Sequence, residues 1–112
     1  MIPALQESVR FSKLPSPCVE LVWATGDRIL ALPAGFLSSA NWDVEDDRER
    51  VTCDWGGWVI VLGGHGLQRL PAALVRAEIS AITELPADQA AVTQGAIVTT
   101  IVATEKRTEE TR

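Results

Sequence analysis

Residues 50–67 read RVTCDWGGWVIVLGGHGL, and this stretch decides the fold class. Apolar and polar side chains alternate from Val51 to Trp55, which is the period of a strand with one buried face. The run from Trp58 to Leu62 is apolar on both faces and predicts the most buried strand segment. Between these two runs, Gly56-Gly57 is either a tight turn between two strands or a glycine kink within one bent strand.

The end of this stretch, Gly63-Gly64-His65-Gly66, contains the single histidine of the chain. Phosphate-binding loops also place glycines before a helix, but the Lys-Ser/Thr of a P-loop and the G-x-G-x-x-G pattern are both absent. We therefore interpret these residues as a sharp strand-to-helix turn whose glycines permit positive φ. No serine or cysteine forms a nucleophile motif beside His65, so we expect a solvent-facing turn histidine.

Working outward, β-rich runs bounded by turn residues predict further strands, and spaced leucines predict one helix from Leu70 to Glu78. Pro71 is tolerated there because it falls in the first turn. With a turn at Gly56-Gly57 the chain has seven strands, and with a kink it has five plus an extra C-terminal strand. The further strand candidates are Cys18–Trp23, Arg28–Leu32, Ala40–Val44, Ile79–Leu85 and Ala96–Thr104.

The length of 112 residues and the 46% hydrophobic content predict one domain with a real core. We place a proline-restricted arm, with a short helix within Ala4 to Phe11, at residues 1–17. A single β-barrel domain follows at 18–104, and a charged tail at 105–112. The N-terminus resembles no signal peptide and no apolar run is long enough to span a membrane, which predicts a cytoplasmic or virion-associated protein without membrane contact.

Charge and cysteine content exclude several classes of function. The net charge is −5 and the basic residues are scattered, which argues against strong phosphate-driven nucleic-acid binding by a monomer. Cys18 and Cys53 are expected to be free, and two cysteines with one histidine fit no zinc spacing. We predict no metal, no cofactor and no catalytic residue. An enzyme would need His65 to meet Asp54, Glu78 or Asp27 beside a pocket.

Two clusters have both a structural and a functional interpretation. The acidic residues from Asp43 to Asp47 fail the calcium-loop pattern, which favours a solvated hairpin tip. The four tryptophans could stack on bases or fill the core, and packing is favoured. Trp42, beside Asn41, is the tryptophan that we expect to be partly exposed.

The order of these segments resembles an Sm-like small β-barrel, in which a helix precedes a five-stranded bent sheet. Residues 21–32 look like part of the first Sm motif, and Ala40–Val44 resembles its closing part. Residues 62–67 resemble the second motif, with Gly64 and Leu67 matching. Gly63 stands where the family has an RNA-contacting arginine. The resemblance covers about residues 18–85.

This resemblance implies a five-stranded antiparallel open barrel with a short helix between strands four and five. It also implies a non-enzymatic, cyclic homo-oligomer joined through the edge strand Ile79–Leu85 or Ala96–Thr104. Binding of RNA, weak if present, is expected at four residues: Asn41, Trp42, Gly64 and His65.

The alternative hypothesis is a phage-related structural or assembly protein. Such a protein oligomerises through edge strands and does not bind nucleic acid. Its motivation is acidity, small size and exposed strand edges. It predicts that removal of residues 1–17 or 96–112 breaks the oligomer without unfolding the barrel.

Overall fold

The computed structural model describes residues 8–86, 88 and 95–106. Within them, eight strands form two four-stranded sheets, and no described helix is long and apolar enough to cross a membrane. Sheet I has the order β1-β7-β2-β3, and sheet II has the order β4-β5-β6-β8. The elements are β1 (Val9–Phe11), β2 (Cys18–Val22), β3 (Ile29–Pro33), a 3-10 turn (Ala34–Phe36), β4 (Leu37–Glu45), β5 (Arg48–Trp55), β6 (Trp58–His65), α1 (Leu70–Val75), β7 (Ile79–Thr83) and β8 (Ile97–Glu105).

The Gly56-Gly57 pair is a two-residue hairpin turn. Trp55 pairs with Trp58 across it, and Gly56 has a φ of 58°. A positive φ at the first central residue is the pattern of a type II′ turn, which suits the twist of antiparallel strands. The kink alternative is therefore wrong, and all seven segments of the turn alternative are strands in the structure. The five strands that the Sm-like resemblance implies require a kink at Gly56-Gly57, and the resemblance itself stays a prediction.

The predicted mainly β fold with one short helix is confirmed, but the single five-stranded antiparallel sheet is wrong. The strands are divided between two sheets, and β2 pairs with β7 in parallel. Parallel neighbours need a long crossover, and the chain between β2 and β7 runs through all of β4, β5, β6 and α1. That excursion builds three strands of sheet II before the chain returns to sheet I at β7, and β8 then completes sheet II.

The N-terminal segment differs from the predicted arm with a short helix. Val9 to Phe11 form β1, which pairs with β7, and both Ser8 and Val9 are buried. Residues 1–7 of the predicted arm lie outside the described residues. The extra strand arises because β7 offers a second edge to pair with, which local sequence preference does not reveal.

The expected oligomerisation edge at Ile79–Leu85 is wrong. β7 lies inside sheet I, with β1 on one side and β2 on the other, so its backbone groups are used within the chain. The second expected edge, Ala96–Thr104, corresponds to β8, which does end sheet II.

The core lies between the two sheets and is one cluster of side chains from both. The alternating residues Val51, Cys53 and Trp55 are all buried in it, as their period-2 pattern predicted. The indole N–H of Trp55 donates to the Pro33 carbonyl at 2.7 Å, which satisfies its polar atom. The other three tryptophans are half-buried against the cluster, so the packing interpretation is confirmed.

The helix α1 begins at Leu70, as predicted, with Pro71 in its first turn, but it ends at Val75. The chain then reverses at Ala77, whose φ is 59°. The Ala77 N–H donates to the Leu74 carbonyl at 3.1 Å and the Glu78 N–H to the Ala73 carbonyl at 2.9 Å. This is the Schellman pattern, which usually has glycine at the position of Ala77.

Candidate functional site

A single carboxylate, that of Glu49 on β5, organises the glycine-rich loop. Its Oε1 accepts hydrogen bonds from the Leu67 N–H at 2.8 Å and from the Trp42 indole N–H at 3.0 Å, and its Oε2 accepts from the Gly66 N–H at 2.9 Å. The loop N–H groups thus converge on an anion, as in a phosphate-binding loop, but the anion is the protein's own side chain. The donors that a phosphate would need are already in use.

Burial raises the pKa of Glu49, but the hydrogen bonds from Leu67, Gly66 and Trp42, together with the charge of nearby His65, outweigh it. The net result is a pKa below the ordinary value for glutamate. Glu49 is therefore ionised in the folded protein at neutral pH and holds the loop through charge-assisted hydrogen bonds.

The glycines of this loop have two different roles, and only one of them is the predicted turn. Gly66 has a φ of 68° and makes the turn, as expected. Gly63 and Gly64 instead lie within β6, where β8 comes very close. A Cβ on Gly64 would overlap the Ile97 carbonyl oxygen, and one on Gly63 would overlap the Thr100 hydroxyl.

The four residues predicted to bind RNA are only partly brought together. Trp42, Gly64 and His65 surround Glu49, since Gly64 pairs with Glu49 and Trp42 donates to it. His65 is exposed at the end of β6, as predicted for a turn histidine. Asn41 is exposed on β4, where it pairs with Thr52. Adjacent strand residues face opposite sides of a sheet, so Asn41 and Trp42 do not share a face.

The predicted hairpin tip is confirmed as a solvated turn. Asp46 and Asp47 are exposed and both have positive φ, which makes this a type I′ turn between β4 and β5. Beside the tip, the Arg50 guanidinium contacts Asp43 at 3.1 Å and Glu45 at 3.1 Å.

Two adjoining clefts of about 470 and 210 Å³ lie next to this tip and share Gly63, Thr100, Arg48 and Glu49 among their lining residues. Gly63, which has no side chain, lies in the lining of both. The larger cleft is also lined by Arg50, whose charge is neutralised by its two carboxylate partners. That arginine therefore leaves little unbalanced charge to attract an ion.

The cysteines are free, and Cys53 is buried in the core. Burial raises the pKa of the Cys53 thiol to about 12, so the thiol is protonated and unreactive at neutral pH. Among residues 8–86, 88 and 95–106, no three His, Cys, Asp or Glu side chains group as a metal site requires.

The middle of the β8 edge, from Val98 to Ile101, is closed by residues that flank the strands of sheet I. The Ile101 N–H donates to Glu84 Oε2 at 2.9 Å, and the Ile101 carbonyl accepts the Trp23 indole N–H at 2.9 Å. The backbone groups of Val98 have similar partners. Its N–H donates to the Ser8 hydroxyl at 2.8 Å, and its carbonyl accepts from the Leu85 N–H at 2.9 Å. The Arg28 guanidinium carbon lies 4.2 Å from the centroid of the Trp23 ring, which is a cation–π contact.

Two of the other three sheet edges are protected in part. β1 is three residues long and is interrupted by a bulge, and α1 packs against β4. Short strands, bulges and a covering helix are the usual means by which proteins protect an edge.

The remaining edge, β3, is open. The Trp23 N–H donates to the Arg28 carbonyl, so Trp23 and Arg28 are a hydrogen-bonded pair between the two strands. In an antiparallel ladder hydrogen-bonded and non-hydrogen-bonded pairs alternate, so the next pair, Val22 with Ile29, exchanges no backbone hydrogen bond. The N–H and C=O groups of Ile29 and Ala31 therefore point away from β2. Within the described part of the chain, these groups have no hydrogen-bond partner.

The residues that organise these sites were only partly visible in the sequence. Glu49 lies close to the charged hairpin tip, but it is two residues before Val51 and therefore faces the core side of β5. An acidic residue on the same strand face as buried residues indicates a carboxylate with hydrogen-bond partners, so this role of Glu49 could be predicted from the sequence. The roles of Glu84 and Trp23 had no local signal, because their partners are 17 and 78 residues away.

No family model, no curated protein and no solved structure matches this chain.

Proposed function

We propose that this protein is a non-enzymatic assembly module that associates with copies of itself through a strand edge. The observation that carries the proposal is the open edge of β3, where the N–H and C=O groups of Ile29 and Ala31 have no hydrogen-bond partner among the described residues. An edge with free N–H and C=O groups is a template for another strand. The assembly hypothesis from the sequence also places the contact between copies at an edge strand, but at a different strand.

The environment of the glycine loop supports a role in assembly over a role in binding phosphate. The Gly66 and Leu67 N–H groups and the Trp42 indole are held by Glu49, and a fixed carboxylate at this point repels an approaching phosphate. RNA binding through Asn41, Trp42, Gly64 and His65 stays a prediction from the Sm-like resemblance. An electrophoretic shift with short U-rich and A-rich RNAs at low salt tests it, with Asn41→Ala as the informative variant.

Light scattering coupled to size-exclusion chromatography, run over a range of loading concentrations, tests the proposal. We expect the mass to rise with concentration from that of one chain toward a defined oligomer. A mass of one chain at every concentration, up to the millimolar range, contradicts it.

A further inference from the structure

The geometry points to one specific contact: we infer that two copies pair their β3 strands antiparallel about a twofold axis, and so join two copies of sheet I into one continuous sheet. This inference rests on the proposed function and names its interface. It follows from the direction of the backbone groups of β3, the side chains beside them and the residue that ends the strand.

The hydrogen-bonding groups of β3 are self-complementary under a twofold axis. Ile29 and Ala31 present one N–H and one C=O each on the open side. If Leu30 of one copy faces Leu30 of the other, Ile29 lies opposite the second copy's Ala31, and the reverse holds as well. Each copy then donates two hydrogen bonds and accepts two, and all the outward groups of both residues are satisfied.

Other registers leave groups without partners. If Ala31 faces itself, Ile29 comes opposite Pro33, which has no N–H to donate. The Pro33 carbonyl is also already bound by the Trp55 indole at 2.7 Å. Pro33 therefore disfavours registers that extend beyond Ala31, and the register centred on Leu30 is the one in which Ile29 and Ala31 pair with each other.

The side chains along this edge favour a second copy over a charged partner. Ile29 is 61% exposed and Ala31 is exposed, and neither carries charge. In the inferred register the large Ile29 lies beside the small Ala31 of the other copy, so the two fit without a like-charge contact. Natural edges that must stay single usually carry a lysine or a central proline, and Ile29–Ala31 has neither.

The contact is short, so we expect association that depends strongly on concentration. Three residues per copy take part and the side chains that meet are small, whereas stable interfaces bury many more residues. The assembly that follows is a dimer, because a twofold contact uses the same edge on both copies and leaves no second β3 for a further copy.

A pair of proline substitutions tests the inference by sedimentation velocity over a range of concentrations. Ala31→Pro removes an outward N–H of β3 without touching the β2 ladder. Ala103→Pro is the control on β8, because Ala103 lies two residues after Ile101 and its N–H points away from β6 in the same way, with a side chain that is half-buried against the core. We expect the wild type and Ala103→Pro to dimerise and Ala31→Pro to remain monomeric.

Hydrogen exchange on the wild-type protein gives a second measurement that needs no variant to fold. The Ile29 and Ala31 amides are expected to exchange fast in dilute solution and to slow at least tenfold when the concentration favours the dimer. The amide of Leu30, already paired within the chain, should change little. Ile29→Lys, at an exposed position, should weaken dimerisation if Ala31→Pro does not fold.

The outcomes separate the interface from the function. A wild type that is monomeric at all concentrations contradicts both. An oligomer that survives Ala31→Pro contradicts the β3 interface and leaves self-assembly standing. A trimer or any odd-numbered ring contradicts the twofold pairing, and concentration-independent exchange at Ile29 and Ala31 does the same.

Discussion

At the scale of single residues, Glu49 shows how one side chain can convert a ligand-binding shape into a structural one. Its carboxylate fills the position toward which the Gly66 and Leu67 N–H groups point, and it also holds the Trp42 indole. The loop is therefore stabilised from inside the molecule. The same anion-binding geometry without Glu49 would present free donors to solvent.

Replacing Glu49 by Gln should destabilise the protein at neutral pH by about 1–2 kcal/mol, because the amide nitrogen meets the N–H of Gly66 or Leu67 as donor against donor. This value is at the low end of the range for a buried donor or acceptor left without its partner. The reason is that Glu49 is half-buried and water can reach it. Chemical denaturation checks this, with Glu20→Gln, an exposed carboxylate on sheet I, as the charge-matched control. An equal loss in both variants contradicts the loop-anchor role.

The lowered pKa of Glu49 also predicts a pH dependence. A depressed carboxylate contributes stability above its unfolded-state pKa, near 4.5, and loses it as the pH falls through the folded-state value. The stability difference between the wild type and Glu49→Gln should therefore be full at neutral pH and shrink below about pH 4.5.

At the scale of elements, α1 is six residues long and relies on its C-terminal cap and its packing. The cap places Ala77 in the left-handed region, where a Cβ is unfavourable. Leu70, Ala73 and Leu74 are buried, so the helix is held by tertiary contact with the core rather than by its own length.

Changing Ala77 to Gly should stabilise the protein by about 0.5–1 kcal/mol, since the strain at the cap outweighs the added freedom of the unfolded chain. Ala72→Gly is the matched control, because Ala72 is exposed within α1. There the same chemical change should destabilise by about 1 kcal/mol. Thermal unfolding measures both, and a loss of stability in Ala77→Gly contradicts the capping argument.

At the scale of the whole molecule, Ser8 and β8 belong to the core that joins the two sheets. Ser8 donates to the Thr83 carbonyl at 2.7 Å and accepts the Val98 N–H at 2.8 Å, so one buried hydroxyl links β7 to β8. Ile97, Val98 and Ile101 are buried as well. The expectation that residues 96–112 can be removed without unfolding the protein conflicts with this packing.

Removing residues 96–112 should abolish cooperative unfolding, because it deletes a central part of the core and leaves the edge of β6 unpaired. Removing residues 107–112 alone keeps β8 and Lys106, whose ammonium contacts Asp54, and should leave the melting temperature within a few degrees. Thermal melts followed by circular dichroism check both. A folded 1–95 fragment contradicts the prediction.

Much of the local structure could be predicted from the sequence, because it depends on neighbours along the chain. The alternation at Val51, Cys53 and Trp55 predicted β5, and the spaced leucines with Pro71 predicted where α1 begins. The acidic hairpin tip and the turn at Gly66 followed from residue type. The choice between turn and kink at Gly56-Gly57 stayed open, since both use glycine in the same way.

Local sequence patterns were enough to place seven of the eight described strands and most of the turns, because periodicity and backbone freedom are local properties. Only the tertiary structure decided the partners of those strands. It placed β7 between β1 and β2, closed the β8 edge with Trp23 and Glu84, and gave the loop donors to Glu49. These contacts join residues far apart in the chain, and which of them form depends on how all the buried surfaces fit together.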